Sequence, residues 1–161
     1  LNLKSYRKSL LSNSNPYTPA VNLVFALDEA LKMMREEGLD KIFLRHEKHK
    51  LAISNAMKAL NLKLFADEQY LSPSITAIKT GELDAEEFRK TIKNKFDILL
   101  AGGQDHLKGK IFRVGHLGYV NDRDIITVIS AISNTLLNLG KITAQQAGEA
   151  LVIANKYLEA N

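Results

Sequence analysis

The run Lys110-Ile111-Phe112-Arg113-Val114-Gly115 sets one arginine inside an otherwise apolar segment. Alternation along a strand puts Arg113 on the face opposite Phe112 and Val114, where a planar, two-pronged guanidinium suits a bidentate contact with a carboxylate. A structural ion pair, or a solvent-facing residue on a half-exposed sheet, fits the same pattern, and the residues alone leave these readings open. Just upstream, "GGQDHLKG" places Gly102 and Gly103 directly after an apolar run. Paired glycines there allow close backbone approach to a ligand, making them a candidate active-site loop, although a plain hairpin or bulge needs the same freedom. Thr18, followed by Pro19, reads first as a helix N-cap with proline at the first helical position. Its hydroxyl and the free N–H groups behind it would also suit a phosphate.

Other chemistry is less well supported. His46 and His49 stand three apart, but "RHEKHK" reads as a charged, solvated helix face with no third ligand at helical spacing, so no metal site is assigned. Asp84, Glu86 and Glu87 occupy the first turn of a helix, where capping and the helix dipole account for them. Neither a nucleophile elbow nor a P-loop is present. The chain has no cysteine, which excludes disulfides, thiolate metal sites, iron–sulfur clusters and a cysteine nucleophile on this chain. Its 22 Lys and Arg are interleaved with 18 Asp and Glu for a net charge of +4. This balance favours a small anionic ligand weakly and argues against nucleic acid, since no basic run or aromatic stacking platform appears. No signal pattern or membrane-length apolar run is seen, so no membrane partner and a cytoplasmic location are expected.

The elements that must position these residues follow from period and punctuation. At 161 residues the chain fits one domain. Residues 1–15, ending in a Ser/Asn cluster, read as a linker or arm, and the start at Leu1 rather than Met reads as an excerpt of something longer. A helix is expected from Pro19 to Gly38 with Val24, Leu27, Leu31 and Met34 on one face. A second is expected from an Asp40 cap to about Leu60. Strands are expected over 62–66 and 74–78, then a helix opened by an Asp84 capping box with Phe88, Ile92 and Phe96 on one face. Strands over 97–101 and 110–114 come next. Asn121 should cap a helix whose Ile125, Val128, Ile129, Ile132, Leu136 and Leu139 face the core, and a Thr143–Gln146 capping box should start the last helix. This order predicts an α+β fold, a small, mostly antiparallel sheet covered by helices.

Three stretches carry a family likeness: "TPAVNLVFALDEALKMMREEGLDKIFLRH", "SITAIKTGELD" and "FDILLAGGQDHLKGKIFRVGHLG", in that order. Together they resemble the C-terminal small domain of class V aminotransferases of pyridoxal phosphate (PLP) fold type I. The likeness runs from about Tyr17 to Leu139 and is strongest to the serine–pyruvate and alanine–glyoxylate branch, including the group named soluble hydrogenase small, or tritium-exchange, subunit. It implies a parent transaminase using PLP, small amino acids such as serine or alanine, and glyoxylate or pyruvate, working as a homodimer. It implies that Arg113 binds the substrate carboxylate and that Thr18 contacts the cofactor phosphate of the neighbouring subunit. The family's tyrosine shortly before that threonine falls at Asn15 here, with Tyr17 close by as the candidate second contact. The Schiff-base lysine belongs to the large domain, so the resemblance implies a linker at 1–15 from a missing large domain, a small domain at 16–161, and no catalysis by this segment alone. The alternative is a non-catalytic α+β module that dimerises or binds a partner.

Overall fold

Local capping chemistry sets most of the helix starts. The computed structural model describes residues 2–160, and its helices are α1 (Leu3–Leu10), α2 (Val21–Glu37), α3 (Leu39–Ala59), α4 (Ala85–Phe96), α5 (Asp122–Asn138) and α6 (Ala144–Leu158). The strands are β1 (Lys63–Leu64), β2 (Ile75–Lys79), β3 (Ala101–Gly102) and β4 (Ile111–Gly115). Asp84 Oδ1 accepts the N–H groups of Glu86 and Glu87 at 2.7 and 3.1 Å. Asn121 and Thr143 each complete a reciprocal capping box, with Asp124 and Gln146 bonding back. These side chains satisfy donors that have no partner inside the helix.

The chain divides into two units, Leu1–Ile42 and Phe43–Asn161. In the first, the segment read as a linker or arm holds α1, because the Asn2 side chain accepts from Lys4 and Ser5 N–H and caps it. Thr18 does not cap α2. The N-cap is Ala20, without a side-chain bond, and Val21 N–H turns back to the Pro19 carbonyl at 2.9 Å, which leaves Pro19 outside the helix. Val24, Leu27, Leu31 and Met34 share the expected face but are between 41% and 60% exposed. Gly38, at φ 88°, is the only residue between α2 and α3, and Asp40 lies in the first turn of α3 rather than at its cap.

The second unit holds the sheet, in the order β1-β2-β4-β3 with every neighbour antiparallel. Thr76 and Ile78 of β2 and Phe112 and Val114 of β4 are buried, whereas Ala77 and Arg113 on the alternate row are only partly so. The buried row joins Ile53 and Met57 of α3, Phe88 and Ile92 of α4, Ile129 and Ile132 of α5, and Ala154 of α6 in one core. Phe112 is completely buried and meets the Phe88 ring at 5.3 Å between centroids. The observed fold is therefore α+β with a four-stranded antiparallel sheet. Its details depart from the sequence pattern at element ends. Asp97 closes α4 in the left-handed region at φ 55°, so the strand expected from 97 pairs only at Ala101–Gly102. Leu139, expected in the core, and Phe96, expected on one face with Phe88 and Ile92, lie at helix ends and are 51% and 36% exposed. No helix among the described residues is long and apolar enough to cross a membrane.

Candidate carboxylate site

Arg113 stands in the middle of β4, paired across the sheet with Ala77 of β2 and Ala101 of β3. Two methyl side chains leave open space on either side of a much longer one. Its Nε donates to the Gly102 carbonyl at 2.9 Å, and among the described residues both terminal Nη groups are without a partner. No carboxylate pairs with it there. The guanidinium is thus held at its base while its two-pronged end stays available, the arrangement that receives a carboxylate with two parallel hydrogen bonds.

Gly102 and Gly103 are brought beside Arg113, each for a different steric reason. A Cβ on Gly103 would collide with the backbone carbonyl of Leu107, which folds back over it. A Cβ on Gly102 would sit 2.5 Å from Arg89 Nη1 and 2.7 Å from Glu86 Oε1. Arg89, on α4, donates from Nε to the Leu100 carbonyl at 2.8 Å and from Nη1 to both Glu86 carboxylate oxygens at 2.9 and 2.8 Å.

The loop leaving β4 is held by polar side chains of α3. Arg45 Nη1 donates to the carbonyls of Gly118 and Val120, each at 2.9 Å, and Gly118 N–H donates to His46 Nε2 at 3.2 Å. Gly118 needs its positive φ of 81° to make this turn. His49 Nε2 meets Asp122 Oδ1 at 2.9 Å, and His116 Nε2 meets Thr76 Oγ1 at 2.9 Å. Both imidazoles are fully buried, so the expected solvated face around His49 is corrected: it packs inward against the start of α5. Burial pushes the His49 pKa down against the opposing pull of Asp122. Burial, followed by repulsion from His49, lowers His116 to about 4. Both rings are consequently neutral near pH 7, and Asp122 as acceptor fixes the proton of His49 on Nε2.

Tyr17 and Thr18 belong to the first unit. Both are exposed apart from an edge-on contact of the Tyr17 ring with Tyr6, 6.1 Å between centroids. Freed from capping, the Thr18 hydroxyl has no partner among the described residues.

Known proteins are similar to this chain in sequence and fold. The soluble hydrogenase 42 kDa subunit of Anabaena cylindrica is 54% identical over 140 residues, covering 87% of this chain and 37% of that protein. Serine–glyoxylate aminotransferase of Arabidopsis thaliana is 31% identical over 146 residues, covering 89% of this chain and 36% of that one. The crystal structure of ureidoglycine–glyoxylate aminotransferase from Bacillus subtilis matches with a TM-score of 0.81 at 30% identity, over 90% of this chain and 38% of that one. The chain is homologous to the C-terminal part of class V aminotransferases. No protein-family model matches the sequence. The chain spans little more than a third of the length of these relatives.

Arg89, Ala77 and Ala101 are not marked out by residue type as site residues, and Glu86 reads in the sequence as a capping residue alone. The Glu86–Arg89 spacing of three was a readable signal, because such pairs meet on a helix surface. The two alanines acquire meaning only from strand register. His49 was also legible in principle, since it precedes Ala52, Ile53 and Ala56 by three, four and seven residues, along the buried stripe of α3.

Proposed function

We propose that this chain is the C-terminal, substrate-binding portion of a PLP-dependent aminotransferase that moves amino groups between a small amino acid, serine or alanine, and glyoxylate or pyruvate. The observation that carries this reading is Arg113, with its Nε bound to Gly102 and both Nη groups unpaired among the described residues. Amino acids and 2-oxo acids share one group, the carboxylate, so a single fixed guanidinium serves both halves of a transamination. Holding the carboxylate orients the neighbouring carbon for proton removal, a gain in positioning rather than in chemistry. Ala77 and Ala101 beside the anchor suit a small substrate body.

The cofactor is PLP, which when bound supplies the electron sink that no side chain provides. The residues present fit a contributing role towards it. Thr18, exposed and without capping work, fits one phosphate contact from this chain, with Tyr17 adjacent as a second candidate. The cofactor-bearing lysine belongs to a large domain upstream, with residues 1–15 as the connecting arm, 16–161 as the small domain, and the whole acting as a cytoplasmic homodimer. The exposed apolar stripe of α2 supports an additional packing partner.

The reading is tested by assaying the intact enzyme with serine or alanine and with ethanolamine or ethylamine, which lack only the carboxylate. Transfer from the amino acids alone supports it. Comparable transfer from the amines would overturn it.

A further inference from the structure

Two arginines hold alternate carbonyls of β3 and the residue before it. Arg89 of α4 binds Leu100, while Arg113 of β4 binds Gly102. α4 lies on the buried side, where its Phe88 ring meets Phe112, whereas Arg113 rises from the alternate row. Between the two arginines lies Gly102, whose missing side chain leaves the space that the Arg89 tip occupies. β3 is an edge strand of two residues, so its ladder with β4 fixes it only weakly.

We infer that Arg89, oriented by Glu86, is a positioning residue for Arg113. This rests on the carboxylate reading of Arg113. Glu86 grips Arg89 Nη1 with both oxygens, which directs Nε at Leu100 and sets the Nη1 end of the guanidinium against Gly102. That contact sets the height and direction of the Gly102 carbonyl, and the carbonyl in turn sets the rotation of the Arg113 fork. Arg89 is partly buried and its Nε and Nη1 are already engaged, so its role is to hold the strand rather than to bind substrate. Lysine cannot replace it, because a single ammonium does not bind Leu100 and Glu86 in that fork geometry.

The test uses Arg89→Lys, with Gly102→Ala as a second variant that expels the Arg89 tip without changing any charge. Two quantities are read: the proton-exchange rate of Arg113 Nε–H by NMR on this chain, and KM and kcat for alanine and glyoxylate in the intact enzyme. The inference predicts faster Nε–H exchange and KM raised about tenfold for both substrates in each variant, the scale of one well-placed hydrogen bond, with the cofactor absorbance unchanged. A purely structural role would lower the melting temperature and leave the Nε–H exchange and the KM values as in the wild type; that result overturns the inference. If Nε–H exchange quickens but Arg113→Gln itself leaves KM unchanged, the positioning of Arg113 stands and the carboxylate reading fails.

Discussion

His49 Nε2 and Asp122 Oδ1 lie 2.9 Å apart, tying the middle of α3 to the first turn of α5 across 73 positions of sequence. The imidazole is fully buried and the carboxylate is largely exposed, so the pair closes the end of the core beneath the loop that leaves β4. Asp122→Ala strands a buried Nε2–H without an acceptor, and the expected loss is about 2 kcal/mol by urea denaturation. Asp122→Asn retains an acceptor oxygen and should recover most of it. In the alanine variant the His49 pKa, measured by NMR, should fall further, because Asp122 is what raises it. An unchanged stability would mean that water replaces the carboxylate at no cost.

His116 makes stability depend on pH. Its pKa is about 4 in the folded chain against an ordinary 6.5, for the burial and repulsion described above, with His46 adding to the repulsion. Between these values the unfolded chain takes up a proton that the folded chain refuses, so stability is complete above about pH 6.5 and falls as pH drops towards 4. At roughly 1.4 kcal/mol per pKa unit, the loss at the acid end is about 3 kcal/mol. His49, also depressed, adds in the same direction. Carboxylates titrate nearby, so the measurement is the difference between wild type and His116→Gln. The expected difference shrinks as pH falls; a constant difference from pH 7 to 4 would contradict it.

The paired glycines should separate in their cost. Gly103→Ala drives a methyl into the Leu107 backbone carbonyl, which cannot yield without moving the loop, and should cost about 3 kcal/mol. Gly102→Ala meets only the ends of two side chains, Arg89 and Glu86, which can move aside, and should cost about 1 kcal/mol while impairing the site. Thermal melts of the two variants decide it, and the reverse ranking would show that the strand rather than the loop is rigid.

The segment by itself should hold no cofactor lysine. Incubation with PLP and borohydride, followed by peptide mapping, should find at most scattered modification of surface lysines. One lysine labelled in full would contradict the assignment of that residue to an upstream domain.

How far the fold could be read follows from how local each cause is. Asp84, Asn121 and Thr143 were legible because a cap is completed within three residues; Asn121 and Thr143 close reciprocal boxes, whereas Asp84 caps α4 through its own side chain, with no bond back from Glu87 to make the expected box. Thr18 misled because Thr-Pro satisfies the same local rule, yet the Pro19 carbonyl turns back to Val21 and moves the cap to Ala20. Strand lengths were poorly legible, since Ala101 and Gly102 are strand only where β4 lies beside them. The partners of His49 and Arg113 lie at separations of 73 and 11 positions, fixed by the packing of α3 and by strand register rather than by neighbouring residues. Arg113 stood out as an arginine in an apolar run; the reasons it is held and left unpaired did not.

The most direct test of the proposed carboxylate anchor is Arg113→Gln in the intact parent protein. Losing a charged, two-pronged contact should raise KM for both the amino acid and the 2-oxo acid by about ten- to a hundredfold, with the cofactor absorbance unchanged. KM values equal to those of the wild-type enzyme would contradict the assignment of Arg113 as the carboxylate anchor.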